Sequence, residues 1–356
     1  MKALITAGGK GTRLRPITHT RNKHLIPIAN KPILHYALEY VAEAGVKEVG
    51  IIVNADTDEV QAAIGKGDPW GLRISYIPQD APLGLAHCVK ISRDFIGDEP
   101  FVFYLGDNMI VGGIKRFKEA FEANQSQCHL TLAAVKDPER FGVPELSGDR
   151  IVSIEEKPQK PKSNFAVSGI YFYDSSIFDA VNNIEPSARG ELEITDAHQY
   201  LLDKGAKVTY SEITGWWKDT GLPIDLLEAN RLILDHAETK IAPDAKVDEA
   251  SNLAGRVILG KGVEIVNSNV RGPAIIGENT VIENSYIGPY SSIHDNCTVR
   301  SSEVEFSIIL ANCRVLDVGI RIEGSLLGYD SLVVRASDKP KTHRFVTGDQ
   351  SEIELA

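Results

Sequence analysis

Cysteine is scarce in this chain. Cys88, Cys128, Cys297 and Cys313 are spread over 356 residues and form no C-x-x-C pair. That spacing fits buried thiols in a reducing compartment rather than a disulfide framework. Long apolar runs are missing too. None approaches about 18 residues, the length needed to cross a bilayer, so no membrane span is expected. The amino terminus enters an apolar strand at once, without the pattern of a secretion signal, and the expected location is the cytoplasm. Positive charge is in deficit, with a formal net charge of −11. A general nucleic-acid binder would show a basic face, so that class is excluded. A nucleotide substrate stays open, because a pocket needs only local positive charge.

Two familiar phosphate-loop signatures are absent as well. A Walker A loop ends in Gly-Lys followed by Ser or Thr, whereas here Lys10 precedes Gly11. The dinucleotide fingerprint fails at its third glycine, which would fall on Leu14. What stands instead is Ala7-Gly8-Gly9-Lys10-Gly11-Thr12-Arg13-Leu14-Arg15-Pro16, directly after the apolar Ala3-Leu4-Ile5. Glycines just past a strand end let backbone N–H groups approach phosphate oxygens closely. Arg13 and Lys23 add cationic side chains nearby in sequence. The chain opens on an anion cradle, and a polyphosphate is the expected anion.

Ordinary hydrophobic (43%) and charged (24%) content over this length predicts two domains with real cores. The first two thirds alternate strand and helix signals. Ala3–Thr6, Val49–Val53 and Phe101–Leu105 read as buried strands. Pro32–Ala44, Thr57–Ile64 and Ile114–Ala123 read as helices, the first capped by Gly45. This predicts an α/β domain: a Rossmann-like, doubly wound, mostly parallel sheet with ligands at the carboxyl ends of its strands. Helical spacing stops near Val247. Aliphatic residues then recur every six, sometimes five, positions: Val247, Leu253, Leu259, Ile265, Val270, Ile276, Ile282, Ile287, Ile293, Val299, Val304, Leu310, Leu316, Ile322, Leu327 and Val333. Such hexapeptide repeats predict a left-handed parallel β-helix with these residues stacked inside. The expected division is residues 1–240 and 241–356, with Leu222–His236 as a joining helix and a tail at the end.

Several short motifs fall in one order between Met1 and about His236. After the glycine loop come Lys23-His24-Leu25-Ile26-Pro27, then Gln79 with Gly84-Leu85-Ala86, then Leu105-Gly106-Asp107-Asn108. Phe141-Gly142-Val143, Glu155-Glu156-Lys157-Pro158 and Lys162 to Tyr171 follow. Arg189-Gly190-Glu191-Leu192-Glu193-Ile194-Thr195-Asp196 and Trp217-Lys218-Asp219-Thr220-Gly221 close the series. Alone, Asp219 reads as a turn residue, Gln79, Glu156 and Lys157 as surface residues and Trp217 as core, whereas Asp107 is evenly divided between a turn cap and a functional role and Arg13 reads less as a helix cap or surface pair than as a functional cation. Together they resemble the sugar nucleotidylyltransferases, in the branch that transfers a thymidylyl group from dTTP to glucose 1-phosphate. The added repeats resemble that branch's long form.

The resemblance implies a division of labour. Gly8, Gly9, Gly11 and Thr12 would cradle the nucleotide, and Gln79 and Gly84 would read the base. Arg13, Lys23 and Lys157 would be the catalytic cations. Asp107 and Asp219 would hold Mg²⁺. Gly142, Glu156, Val167 and Trp217 would line the sugar-phosphate pocket. The chemistry is consistent with this set, because a sugar phosphate is mostly dianionic at neutral pH and needs no general base. The obstacle is repulsion between two polyanions, which cations and a metal relieve. The expected partners are dTTP and glucose 1-phosphate, with no nucleic acid and no membrane, and the β-helix predicts a homo-oligomer.

One position departs from the family: His24 stands where glutamine is usual. It reads either as a neutral replacement or as an extra group titrating near neutrality. Three other readings stay open. The enzyme could use UTP. The β-helix, which contains His294 and precedes His343, could add an acyltransferase activity. The chain could also be a silent regulatory subunit, although that role predicts loss of Arg13, Lys23, Asp107, Lys157 or Asp219, all of which are present.

Overall fold

The computed structural model describes residues 1–56, 58–336 and 343–355. The chain divides into two compact units. The first holds Met1–Lys10, Asn22–Leu25 and Ile33–Asp219; the second holds Gly11–Arg21, Ile26–Pro32 and the chain from Thr220 onward.

The first unit is built on seven strands. In chain order they are β1 (Lys2–Thr6), β2 (Glu48–Asn54), β3 (Arg73–Gln79), β4 (Phe101–Leu105), β5 (Cys128–Ala134), β6 (Phe165–Tyr173) and β7 (Val208–Glu212). In space they run β7-β5-β6-β4-β1-β2-β3. Only β6 is antiparallel to its neighbours; the other pairings are parallel. This is the mostly parallel sheet that the alternating pattern predicts. Side chains along a strand alternate between faces, so β1 sends Ala3 and Ile5 into one core and Leu4 into the other. Helices Ile33–Glu43 and Lys115–Asn124 cover the first face through Leu34, Leu38, Val41, Phe117 and Phe121. Helices Leu85–Ile91, Ile177–Asn183 and Ile194–Asp203 cover the second. The helix expected from Thr57 spans Glu59–Ile64, and Thr57 itself lies outside the described residues.

In the second unit, three parallel sheets of six, six and five short strands form the left-handed β-helix. Its interior is an aliphatic column that includes Ile265, Ile276, Ile282, Ile287, Ile293, Val299 and Val304, with the Cys297 and Cys313 thiols among them. All four cysteines are buried and unpaired. Asn267, Asn279, Asn284, Asn296 and Asn312 turn corners with φ between 44° and 63°. Asparagine tolerates this left-handed conformation better than most residues, which explains the composition of the repeats.

Two rungs differ from the predicted ladder. Ile309 and Val315, rather than Leu310 and Leu316, stack on Ile293 and Val299. Both neighbours are aliphatic, so the spacing alone cannot choose between them. The choice is made by the corner at Phe306, which turns one residue early. The helix Pro223–Leu234, expected as a linker, packs on the β-helix. Asn230 accepts from the Ser292 hydroxyl at 2.6 Å and donates to the Tyr290 carbonyl at 2.9 Å. Among the described residues no helix is long and apolar enough to cross a membrane.

Candidate active site

In the first unit, β1 and β4 are neighbours, so their carboxyl ends lie side by side. Ala7-Gly8-Gly9-Lys10 leaves one and Gly106-Asp107-Asn108 leaves the other. The Gly106 N–H donates to the Thr6 carbonyl at 3.1 Å, tying the two exits together. Lys23 enters between them, is 7% exposed, and forms an ion pair with Asp107. Burial opposes the charged carboxylate, yet the Lys23 ammonium and the Asn108 amide hold Asp107 well below the usual carboxylate range. Its neighbour His24 is buried, with Nδ1 2.9 Å from Asn22 Oδ1. Burial holds this imidazole down to about 4, so it is neutral at physiological pH. Of the two readings of His24, the neutral replacement is the one that the structure supports. Its ring lies against both glycine loops, 3.5 Å from a Cβ built on Gly9 and 3.3 Å from one built on Gly106.

Asp219 reaches the same place from the far end of the unit. Strand Trp217–Asp219 pairs antiparallel with Asn108–Ile110, setting Asp219 opposite Asn108. Asn108 is the hub here, and the motif reading gave it no role. It is 3% exposed, its Nδ2 donates to Asp107 at 2.9 Å, and its Oδ1 accepts from Trp217 Nε1 at 2.7 Å and from the Gly169 N–H at 3.2 Å. An asparagine after a motif aspartate resembles any turn residue; only its burial, invisible in the sequence, marks it out.

A second cluster lies beyond Trp217, whose ring meets Phe141 edge-on at 5.3 Å. Hairpin strands Gly142–Ser147 and Arg150–Glu156 set Glu156 opposite Gly142. A Cβ on Gly142 would come within 2.5 Å of Thr195 Cγ2, so only glycine fits there. The Thr195 hydroxyl donates to Glu156 at 3.0 Å. Lys157 has a left-handed backbone, φ 45°, and its Nζ is 3.5 Å from Glu156. Arg189 adds another cation, donating to Glu193 at 2.7 Å and to Glu156 at 3.4 Å. Its segment stood out in the sequence, but its contact with Glu156, 33 residues away, did not. Val167 is buried on β6.

Gln79 ends β3, with Nε2 3.2 Å from His87 Nδ1. Gly84 caps the following helix at φ 103°, and a Cβ there would lie 2.4 Å from the Leu192 carbonyl. Backbone bonds Leu192 N–H to Leu83 and Ala86 N–H to Leu192 stitch this turn to the Arg189 segment. Gly11, Thr12 and Arg13 group with the second unit. There Gly11, left-handed at φ 59°, starts the single turn Thr12–Leu14, and Arg13 is exposed. Within the β-helix, His294 Nδ1 accepts from the Asp295 N–H at 2.7 Å, and burial lowers its pKa.

A carboxylate paired with a buried lysine at the end of a parallel strand, with a second carboxylate opposite the next residue, suits phosphate chemistry. The sequence pattern of nucleotidyl transferases matches residues 2–236. The chain belongs to the nucleotidyl transferase family. Among its relatives, a glucose-1-phosphate thymidylyltransferase of Streptomyces griseus is 50% identical, with both chains covered in full. Another, from Streptomyces antibioticus, is also 50% identical over 100% of this chain and 99% of its own. A solved Bacillus anthracis structure, assigned as a glucose-1-phosphate thymidylyltransferase and complexed with sucrose, superposes with a TM-score of 0.63. It is 39% identical and covers 67% of this chain and 98% of its own. Nucleotidyl transferases generally work with a divalent metal. The donor set here fits one: Asp219 on its strand and Asp107, in the turn next to the paired Asn108, offer two carboxylates and leave further positions for phosphate oxygens and water, as Mg²⁺ prefers.

Proposed function

We propose that this protein transfers a thymidylyl group from dTTP to α-D-glucose 1-phosphate, giving dTDP-glucose and pyrophosphate. The observation that carries this reading is the Lys23–Asp107 pair, with Asp219 opposite the adjoining Asn108. Full-length identity to two thymidylyltransferases supports the choice of substrates. Residues 1–240 are assigned the chemistry and residues 241–356 the assembly of a homo-oligomer.

The sugar phosphate arrives ionised, so no base is required. An oxygen of that phosphate bonds to the α-phosphorus of dTTP. The bond from that phosphorus to the bridging oxygen breaks, and its electron pair leaves with pyrophosphate. Lys157 holds the attacking phosphate, while Glu156, oriented by Thr195, accepts from sugar hydroxyls beside Gly142, Val167 and Trp217. Gly8, Gly9, Gly11 and Thr12 receive the triphosphate, and Arg13 neutralises the departing end. Gln79 and the turn at Gly84 take the base edge. Mg²⁺ held by Asp107 and Asp219 would supply charge neutralisation at the α-phosphate. Lys23, buried and paired with Asp107, adds positive charge at the same place.

The test is pyrophosphate release with Mg²⁺, crossing dTTP, UTP and GTP with glucose 1-phosphate and N-acetylglucosamine 1-phosphate. Fastest release is expected for dTTP with glucose 1-phosphate. A preference for UTP would overturn the assignment of the base, and silence with every pair would overturn the enzyme reading.

A further inference from the structure

The glycine-rich loop does not end as a free loop. Residues Gly11–Arg21 and Ile26–Pro32 both belong to the unit that contains the β-helix. The Asn22–Leu25 segment between them carries Lys23. Each flank has its own anchor. On the first, the Arg21 guanidinium lies 5.1 Å from the centre of the Tyr329 ring, in the last coil. Ile17 Cδ1 comes within 3.1 Å of where a Cβ on Gly328 would stand. His19 Nε2 is 3.3 Å from the Asp349 carbonyl in the tail. On the second flank, Asn30 is left-handed at φ 57° and donates to the Ile293 carbonyl at 2.8 Å.

Little within the first flank holds it in shape. Its regular structure is two single turns, Thr12–Leu14 and Ile17–His19, with the Thr18 hydroxyl bonded to the Gly11 carbonyl at 2.7 Å. A short stretch with so few internal bonds takes its conformation from what it rests on. Gly328 fits this role. Its φ is not in the left-handed region, so the backbone does not demand glycine; the space is taken by Ile17.

We propose that the last coil of the β-helix positions the triphosphate-binding loop, with Tyr329 acting through Arg21 and Asn30 steadying the other flank. This rests on the reading of Arg13 and its loop as the triphosphate site. The coil is then part of the nucleotide-binding apparatus, although it touches no reacting atom. Its loss weakens nucleotide binding without touching the sugar-phosphate pocket, which is built from the first unit.

The experiment is steady-state kinetics on full-length variants, with melting curves in parallel. Tyr329→Ala should raise KM for dTTP relative to KM for glucose 1-phosphate by about three- to five-fold, the scale of one lost cation–π contact. Tyr329→Phe keeps the ring and should restore the parent ratio. Asn30→Gly keeps the backbone conformation, removes the amide, and should shift the ratio the same way. An unchanged ratio in both Tyr329→Ala and Asn30→Gly, or equal rises in both KM values, overturns the proposal. Arg13→Ala tests the reading beneath it. Nucleotide kinetics damaged by Arg13→Ala but not by Tyr329→Ala would reject the coil's role alone. The reverse would keep the coil's role and reject that of Arg13.

Discussion

The two units bury polar groups for different purposes. In the β-helix one set of buried hydroxyls repeats from coil to coil. Ser268, Ser285 and Ser302 each donate to the carbonyl two residues back, and Ser268 and Ser285 accept the N–H of the serine one coil on. These bonds serve the corners of successive coils. In the α/β unit some buried polar groups converge from distant strands instead. Lys23 and Asn108 are each less than a tenth exposed, and they meet Asp107 and Trp217 across 84 and 109 residues. Such groups are costly to bury and are retained where they bind or react. The candidate site thus draws on side chains far apart in the chain, whereas the serine corners repeat one bond from coil to coil.

Substitutions can break that contrast. The largest effect is expected from Asp107→Asn, which keeps the shape and removes a metal-ligating charge: kcat/KM should fall about a hundredfold to a thousandfold while the circular-dichroism spectrum stays that of the parent. Asn108→Ala releases Asp107 and Trp217 from their shared hub, and kcat should drop about ten- to a hundredfold. Acid should separate the units. His198, hydrogen-bonded to Tyr173 at 2.5 Å, is held down to about 3 by burial, and His129 to about 4. Their folded-state pKa values lie below the unfolded value, so the stabilisation is complete above about pH 6.5 and is lost as pH falls towards 4. The α/β unit should lose up to about 1.4 kcal/mol per pH unit for each histidine, measured by denaturant melts from pH 7 to 4.5, while the β-helix changes less. Smallest is Ser285→Ala, which strips a corner of its hydroxyl. A cost of about 1 kcal/mol in the β-helix, with kcat unchanged, is expected from melting and kinetics on one sample.

The sequence made some of this legible, for identifiable reasons. Strands β1, β2 and β4 are buried on both faces and read as unbroken apolar runs, so the loops at their ends could be located. The aliphatic ladder showed because its period repeats through many coils. What stayed hidden depends on three-dimensional neighbours. The neutrality of His24 follows from its burial against two loops. The work of Asn108 depends on partners 61 and 109 residues away. The grouping of Gly11–Arg21 with the β-helix depends on contacts with residues more than 300 positions on.

The corner at Phe306 is a residue short, and the stretch from Asp317 to Arg321 makes up the length before Ile322 rejoins Val304. Neither fault reaches the next rung, because each strand takes its register from the strand beneath it and not from the residue count. In the language of coding, the solenoid resynchronises once per coil and corrects its own errors. A peptide inserted between Asp317 and Arg321 should therefore be absorbed where it is made, leaving the final coil in frame.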